Sequence, residues 1–595
     1  MMKGTVTAVL AGVALLSACG GSQQETAETT DAVAELAALF NDHWERSLEL
    51  NPLSATSIGD YRYNDRLANT VSAEYRDARH TLDETALQRL LEIDREALEY
   101  QDQLSYDMFR ILREQSLEGE QFPSHLQPMN QFYLFPNTFV RLGSGSAQHP
   151  FATVKDYEDF LSRADDFAAW VDQAIENMKE GAAQGIVQPR VLMQKVVPQL
   201  ESQIVDSAED SGFWMPVENM PAEFSDADRE RLAAAYREAI ENTIIPAFRR
   251  LNNFIGDEHL AATRESYGLL DLPNGDDWYA YMVKVRTTTD LTPEEIHQIG
   301  LDEVARIHEE MRGVMDEVGF EGTLEEFFEY MNTDDQFFYD EPDQLIQGYR
   351  DMSDHVGGLA RKLFDIEPKT DFEVRRVEPF REQSASGGSY QSGTMDGSRP
   401  GIFYANAYNI KARPKWAMES LYLHEAIPGH HFQIALQQEA DYLPMFRRFA
   451  RFTAYSEGWG LYAETLGKEI GVYTDPYQYF GALNAELWRS IRLVVDTGIH
   501  AMGWTRQEVL DYMYANSAVA EARAVSEAER FMAIPGQALA YKIGQLKISE
   551  IRSKAEERLG DNFDVIAFHR EILKDGPMPL SMLEAKLDRW VDSQL

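Results

Sequence analysis

The sequence predicts a mostly α-helical protein, with one small β element just upstream of a predicted metal-binding helix. Three observations support this fold class: apolar residues recur at helical spacing, one helix start is fully signalled, and only the stretch near 370–410 has strand-like composition. The segments with helical spacing are 31–50, 72–117, 152–184, 226–256, 292–317 and 340–365. They are spread over the first 370 residues, so we expect a large helical body.

The helix predicted over 292–317 has the clearest boundary. Thr292 is a capping residue, Pro293 suits the first helical position, and Glu295 completes a capping box three residues after the cap. The apolar residues that follow form one stripe, which predicts packing against the core and no functional site.

The N-terminus predicts export and lipid attachment. Residues 1–18 combine Lys3, an apolar run over 6–16 and Leu-Ser-Ala directly before Cys19, which is the only cysteine. This pattern is typical of a lipoprotein signal peptide, with Cys19 as the lipidation site, although a plain cleaved signal is the alternative. Gly20 after the cysteine resembles lipoproteins of the Gram-negative outer membrane, so we expect anchoring there, facing the periplasm. Residues 19–30 have little to bury and predict a flexible tether.

Charge excludes several partner classes. The 595-residue chain has 55 Lys plus Arg against 99 Asp plus Glu, a net charge of −44. Binding to nucleic acid or to anionic lipid requires a basic surface, so neither is expected, and membrane contact is predicted only through the lipid on Cys19. Solubility explains the acidity, with attraction of a cationic peptide as the alternative. No later segment has about 18 uninterrupted apolar residues.

The stretch between 370 and 410 predicts the β element. Residues 372–377 are β-rich, glycine-rich turns follow at 387–389 and 397–401, and 402–404 form a short apolar run. A strand here could offer its edge to an extended peptide, or it could be a structural hairpin. We predict one domain over 31–595, in which 31–370 form mainly scaffold and cleft wall and 371–595 the catalytic part.

Residues 424–431 read HEAIPGHH and predict a zinc site. Two imidazoles on one helical face can bind zinc, and a glutamate after the first can take a proton from water. The usual H-E-x-x-H spacing would place the second histidine at Pro428. Proline cannot donate a hydrogen bond to the carbonyl of His424, so the turn must open. An opening of two residues favours His430 as second ligand, whereas a straight helix would favour His431.

The third ligand is predicted in residues 455–464, YSEGWGLYAE. Glu457 follows His430 at a spacing found in zinc peptidases, and Glu464 lies two turns further along the same helical face as a reserve candidate. We therefore predict Zn²⁺ bound by His424, His430 and Glu457, with Glu425 as the general base.

Other candidate residues lie nearer the C-terminus. Asp496 and His500 are spaced as an i, i+4 helical pair, which could support catalysis or be a buried structural pair. Tyr541 could stabilise an oxyanion, and Arg530 and Lys542 could bind a substrate carboxylate.

The order of four motifs resembles a known family. HEAIPGHH, SEGWGLYAE at 456–464, DTGIH at 496–500 and PGQALAYKIG at 535–544 resemble the bacterial domain of unknown function 885 family. That family is similar in fold and motif layout to helical zinc peptidases such as carboxypeptidase Taq, thimet oligopeptidase and angiotensin-converting enzyme. The resemblance implies a deep cleft that admits short peptides.

The predicted function is zinc-dependent hydrolysis of peptide bonds in short peptides. Glu425 would take a proton from the attacking water and return it to the leaving amine. His431, His500 and Tyr541 are candidates to stabilise the tetrahedral intermediate. Two alternatives are a non-catalytic peptidase-like lipoprotein that acts as a scaffold or binding protein, and a metal-dependent hydrolase of another amide or ester.

Overall fold

The fold was obtained as a computed structural model, which describes residues 20–378, 382, 385–394 and 399–595, with side chains from residue 31 onward. The predicted signal peptide and the lipidation site Cys19 lie outside the described residues.

Helices dominate the described chain, so the predicted fold class is confirmed. The helices before the β element are α1 Gly20–Leu50, α2 Pro52–Ser57, α3 Ala73–Leu91, α4 Tyr100–Gly119, α5 Phe135–Gly143, α6 Val154–Gln184, α7 Arg190–Glu201, α8 Met215–Glu218, α9 Asp226–Ala239, α10 Ile245–Phe254, α11 Leu260–Ala262, α12 Gly275–Thr287, α13 Pro293–Val318, α14 Leu324–Thr333 and α15 Pro342–Ala360. The helices after it are α16 Met418–Glu425, α17 His430–Glu439, α18 Met445–Arg448, α19 Thr453–Thr465, α20 Gly467–Ile470, α21 Pro476–Ala501, α22 Arg506–Asn516, α23 Glu521–Ala533, α24 Ala540–Leu559, α25 Val565–Leu573 and α26 Leu580–Gln594.

The helix boundary predicted at Thr292 is present. The backbone N–H of Glu295 donates to the Thr292 hydroxyl at 3.2 Å, and the backbone N–H of Thr292 donates to the Glu295 carboxylate at 2.9 Å. Of the described helices, none is both long and apolar enough to span a bilayer.

Residues 20–30, for which the sequence predicts a flexible tether, form the first part of helix α1.

The small β element is a three-stranded sheet in the order β1-β3-β2. Strand β1 is Phe372–Arg376, β2 is Gly388–Gln391 and β3 is Gly401–Ala405. The central strand β3 pairs in parallel with β1 and antiparallel with β2. Its side chains are largely buried, with Phe403 packed edge-on against Tyr349 of α15. The sheet therefore covers one side of the metal-binding helices.

Buried clusters of apolar residues organise the body. One is built from residues 67–255 around α6 and α10, and another, built from Met108 and residues 345–591, encloses α16 and α19. Helix α19 packs between α16 and α24, and α21 runs along α13 while also contacting α16. This packing places α16, α19, α21 and α24 around the predicted zinc ligands.

Candidate metal centre

The helix that carries the first predicted ligand is interrupted where the sequence places proline. Helix α16 ends at Glu425 and α17 begins at His430, so the chain between them leaves helical geometry. A side chain at Gly429 would begin 1.9 Å from the backbone oxygen of His424, so only glycine allows this close return. The carbonyl of Pro428 accepts a hydrogen bond from the Trp459 indole at 2.8 Å, which holds the interruption against α19.

The interruption brings His424, His430 and Glu457 together. The Glu457 Oε2 atom lies 3.6 Å from Nε2 of His424 and 3.3 Å from Nε2 of His430. One ligand atom from each residue lies within 4.8 Å of the other two. Ligands bound to a tetrahedral zinc at 2.0–2.2 Å are separated by about 3.4 Å from one another. The two measured distances agree with that value, so these residues fit a zinc ion.

His424 is oriented by a second carboxylate. Its Nδ1 atom lies 2.8 Å from Glu464 Oε1, and Ser420 donates a hydrogen bond to the other oxygen of Glu464. A carboxylate at Nδ1 favours the tautomer that leaves Nε2 free to bind a metal. A side chain at Gly460 would begin 2.7 Å from the His424 ring, so a glycine is required for this approach.

The charges in this group stabilise one another. Burial alone would lower the pKa of His424, but Glu457 and Glu464 outweigh it and raise the pKa to about 9. Burial would raise the pKa of Glu457, but hydrogen bonding to His424 and His430 holds it well below its ordinary value. Glu457 is therefore ionised over the physiological range, as a metal ligand must be.

The neighbouring histidine takes a different position. His431 is buried, with Nδ1 3.0 Å from the Tyr390 hydroxyl and its ring 4.5 Å from that of Phe372. Burial lowers the pKa of His431 to about 4, so it is neutral. The structure places His430 beside Glu457 and His431 against the β element, which does not support a role for His431 at the reacting carbonyl.

Glu425 occupies the position expected of a general base. It is the last residue of α16, directly after His424, and only 8% of its surface is exposed. Its charge contributes to the raised pKa of His424, after burial and the two other glutamates. Glu425 thus lies beside His424 and is not one of the three candidate ligands.

Tyr541 lies on the α24 side of the same group. Burial raises its pKa, and the charge of Glu457 raises it further. The guanidinium carbon of Arg492 lies 4.9 Å from the centre of the Tyr541 ring. Tyr541 is therefore a protonated hydroxyl near the ligands, available to donate a hydrogen bond.

Asp496 and His500 do not form the predicted pair. His500 is fully buried, accepts a hydrogen bond from the Leu269 backbone N–H at 3.0 Å and donates one to the Phe531 carbonyl at 2.9 Å. Asp496 accepts hydrogen bonds from the Tyr279 hydroxyl and the Gly536 backbone N–H. The catalytic role predicted for His500 is corrected to a structural one, because backbone groups occupy both ring nitrogens.

The two cations predicted to bind a substrate carboxylate, Lys542 and Arg530, differ in burial and in their ion pairs. Lys542 is fully buried, with its ammonium 2.8 Å from Glu303 and 2.5 Å from Glu486, so the substrate-binding role predicted for it is corrected to an internal ion pair. The Arg530 side chain is 20% exposed, and its Nε lies 3.1 Å from Glu527.

Two arginines near the ligands were not anticipated. Arg489 lies 3.6 Å from Glu464, and Arg492 lies 2.9 Å from Glu527. The signal that could have found them is two cations in an otherwise apolar part of α21, because a buried charge requires a partner.

One family model matches most of the chain. A family model described as "Bacterial protein of unknown function (DUF885)" matches residues 52–587. The chain belongs to this family. The match includes all the residues of the metal centre, so the family description covers the site without assigning it an activity. No curated protein matches the chain significantly.

Two solved structures share the fold. The first, described as a "putative lipoprotein from Colwellia psychrerythraea", has a TM-score of 0.86 and 29% identity, over 94% of this chain and 99% of that one. The second, a "putative lipoprotein of unknown function from Shewanella oneidensis", has a TM-score of 0.73 and 17% identity, over 92% and 99%. The second is similar in fold alone.

Proposed function

We propose that this protein is a zinc-dependent hydrolase that cleaves peptide bonds in short peptides in the cell envelope. The observation that carries the proposal is the spacing of two imidazole nitrogens and one carboxylate oxygen at distances expected around a single zinc ion. Zinc held by three protein ligands makes a bound water acidic near neutral pH and polarises a carbonyl.

The residues of the chain supply the proton transfers. Hydrolysis adds the oxygen of water to the carbonyl carbon, breaks the C–N bond and leaves a proton on the departing nitrogen. We assign both transfers to Glu425, which takes a proton from water and delivers it to the amine. Tyr541 would donate a hydrogen bond to the carbonyl oxygen as negative charge develops there.

The cell-envelope location has two supports. The sequence predicts a lipid-modified Cys19 after a signal peptide, and two proteins with this fold are each described as a "putative lipoprotein". Attachment to the outer membrane, facing the periplasm, follows the Gly20 signal and belongs to the proposal. In this location the substrates would be peptides that enter the periplasm.

The direct experiment combines metal analysis with a base-deleted variant. Purified protein should contain close to one zinc per chain. Glu425→Gln should keep that zinc while its kcat on a short peptide falls about 10²–10⁴-fold, because the general base is gone. Glu419→Gln is the matched control, since Glu419 is a partly buried carboxylate on the same helix, and it should retain activity.

The outcomes separate the alternatives. Protein that binds no zinc and cleaves nothing would identify a non-catalytic scaffold. Zinc-loaded protein that cleaves esters or other amides, but no peptides, would identify another type of hydrolase. Unchanged peptide turnover in Glu425→Gln would contradict the assigned base.

A further inference from the structure

Five arginines gather beside the metal centre of a strongly acidic protein. We define the arginine cluster as Arg413, Arg489, Arg492, Arg523 and Arg530, which come from the segment before α16, from α21 and from α23. The positive charges of Arg413, Arg489 and Arg492 lower the pKa of Arg523. Arg492 and Arg530 both pair with Glu527. In a chain of net charge −44 such a concentration is unexpected.

The cluster is continuous with the metal centre. Arg489 lies 3.6 Å from Glu464, the carboxylate that orients His424. Arg492 covers the ring of Tyr541, and the charge of Glu457 contributes to the raised pKa of Arg492. Only one side chain therefore separates the cluster from the predicted ligands.

The cluster has fewer carboxylates than arginines. Glu527 serves both Arg492 and Arg530, and Glu464 is shared between Arg489 and His424. The guanidinium groups of Arg413 and Arg523 make no ion pair or hydrogen bond with any residue that the structure describes. Buried Nε atoms of Arg413, Arg489 and Arg492 also lack described hydrogen-bond partners. Arginines without a carboxylate partner in the protein are available to bind an anion.

Arg523 shows that this anion can come from solution. Its side chain is exposed to solvent, so an anion can reach it. Its guanidinium lies 5.1 Å over the Trp488 ring, and the Trp488 indole donates to Glu527 at 3.2 Å. Stacking thus leaves the nitrogen edge of Arg523 free to bind an anion.

We propose that the arginine cluster binds the C-terminal carboxylate of a peptide whose scissile bond lies at the metal centre. Guanidinium groups match carboxylates in bidentate geometry, and every unmodified peptide ends in one. An extended residue spans about 3.3–3.6 Å, so a cluster beside the ligands selects cleavage near the C-terminus. This inference rests on the proposed peptidase function and names its substrate class.

The first experiment compares three peptides of one sequence with zinc-loaded protein. The first ends in a neutral residue with a free carboxylate, the second is its C-terminal amide, and the third is an amide whose last residue is glutamate. We expect the free acid to be cleaved with a kcat/KM about 10–100-fold above that of the neutral amide, as for a charged hydrogen-bonded pair. Equal rates for acid and amide would overturn the inference while the peptidase stands. A preference for the glutamate amide over the free acid would also overturn it, in favour of side-chain recognition.

The second experiment uses Arg523→Gln with a matched control. Arg589 is also exposed and stacked on a ring, with its guanidinium carbon 4.1 Å from the centre of Tyr100, and it makes no ion pair with described residues. We expect Arg523→Gln to raise KM for the free acid about tenfold or more, to leave the amide unchanged, and to keep the wild-type Tm and zinc content. Arg523→Lys should recover part of the loss, and Arg589→Gln should behave as wild type. Equal effects of Arg523→Gln on acid and amide would contradict the assignment.

Binding measurements keep the inference testable if no peptide is cleaved. Such a result would count against the proposed function alone. Calorimetry with the same free acid and amide would then decide the inference. Tighter binding of the acid, lost in Arg523→Gln, supports it, and equal binding overturns it.

Discussion

Two buried histidines on neighbouring helices have opposite surroundings. The His424 ring lies between two carboxylates, with Glu464 at Nδ1 and Glu457 near Nε2. The His500 ring lies between two backbone groups, the N–H of Leu269 and the carbonyl of Phe531. Burial lowers the pKa of His500 to about 3, whereas the carboxylates overcome burial and raise that of His424 to about 9.

Hydrogen-bond partners determine whether a buried histidine can bind a metal or a proton. A backbone N–H and a carbonyl use both nitrogens and fix a neutral ring within the core. A carboxylate at one nitrogen leaves the other free for a metal or a proton. Burial is nearly equal for the two rings, so the partners decide the role.

The largest expected effect separates the two histidines at the end of the HEAIPGHH motif. His430→Ala removes one of three ligands, so zinc affinity should fall by more than about 100-fold, beyond the effect expected for an outer partner. His431→Ala, which alters packing against Tyr390 and Phe372, should keep its zinc. Competition with a chelating dye measures both affinities, and zinc loss in His431→Ala alone would reverse the assignment.

An intermediate effect is expected at the carboxylate that distinguishes His424 from His500. Glu464→Gln keeps the size of the side chain but removes the charge at Nδ1 of His424, so zinc affinity should fall about 10–100-fold. Glu469→Gln is the control, because Glu469 pairs with Arg552 at the surface. An affinity equal to wild type in Glu464→Gln would show that the carboxylate only fills space.

The smallest effect is expected at His500, and it appears in stability. The folded pKa of His500 is about 3, below its ordinary value of about 6.5, and burial is the main cause. Between these values the unfolded chain binds a proton that the folded protein does not, so the free energy of unfolding falls by about 1.4 kcal/mol per pH unit as pH decreases. Above pH 6.5 this contribution is complete and constant.

A variant isolates this proton. His500→Asn should be less stable than wild type at pH 7. Between about pH 6.5 and pH 4, however, its denaturation midpoint should fall less steeply, because its unfolding takes up about one proton fewer per chain. Zinc content should not change. Parallel pH profiles for variant and wild type would show that His500 is protonated equally in both states.

Local patterns predicted the helical elements because their causes are local. The capping box at Thr292 and Glu295 depends on residues three apart, and it is present as predicted. The interruption after His424 follows from Pro428, which cannot donate the helical hydrogen bond. The strands at 372–376 and 401–405 also follow local composition.

Local sequence patterns predicted the roles of individual side chains less well than they predicted the helices. Its positive charge made Lys542 a candidate for substrate binding, but Glu303 and Glu486 reach it from other helices. Sequence also did not reveal the surroundings of Arg489, which lies near Glu464 of α19, or of Arg523, which stacks on Trp488 of α21. Whether a cationic side chain forms an ion pair depends on the residues that pack against it in the folded protein.

The sequence by itself determined the helical class, the position of the β element, and the segments that contain the histidines and glutamates. Only the tertiary structure decided which of these side chains meet, because His424 and Glu457 belong to helices that become neighbours by packing of apolar faces. Backbone propensity acts over a few residues, whereas ligand geometry depends on helices far apart in the chain. The placement of His430 beside Glu457, with His431 turned to the sheet, is a result of that packing.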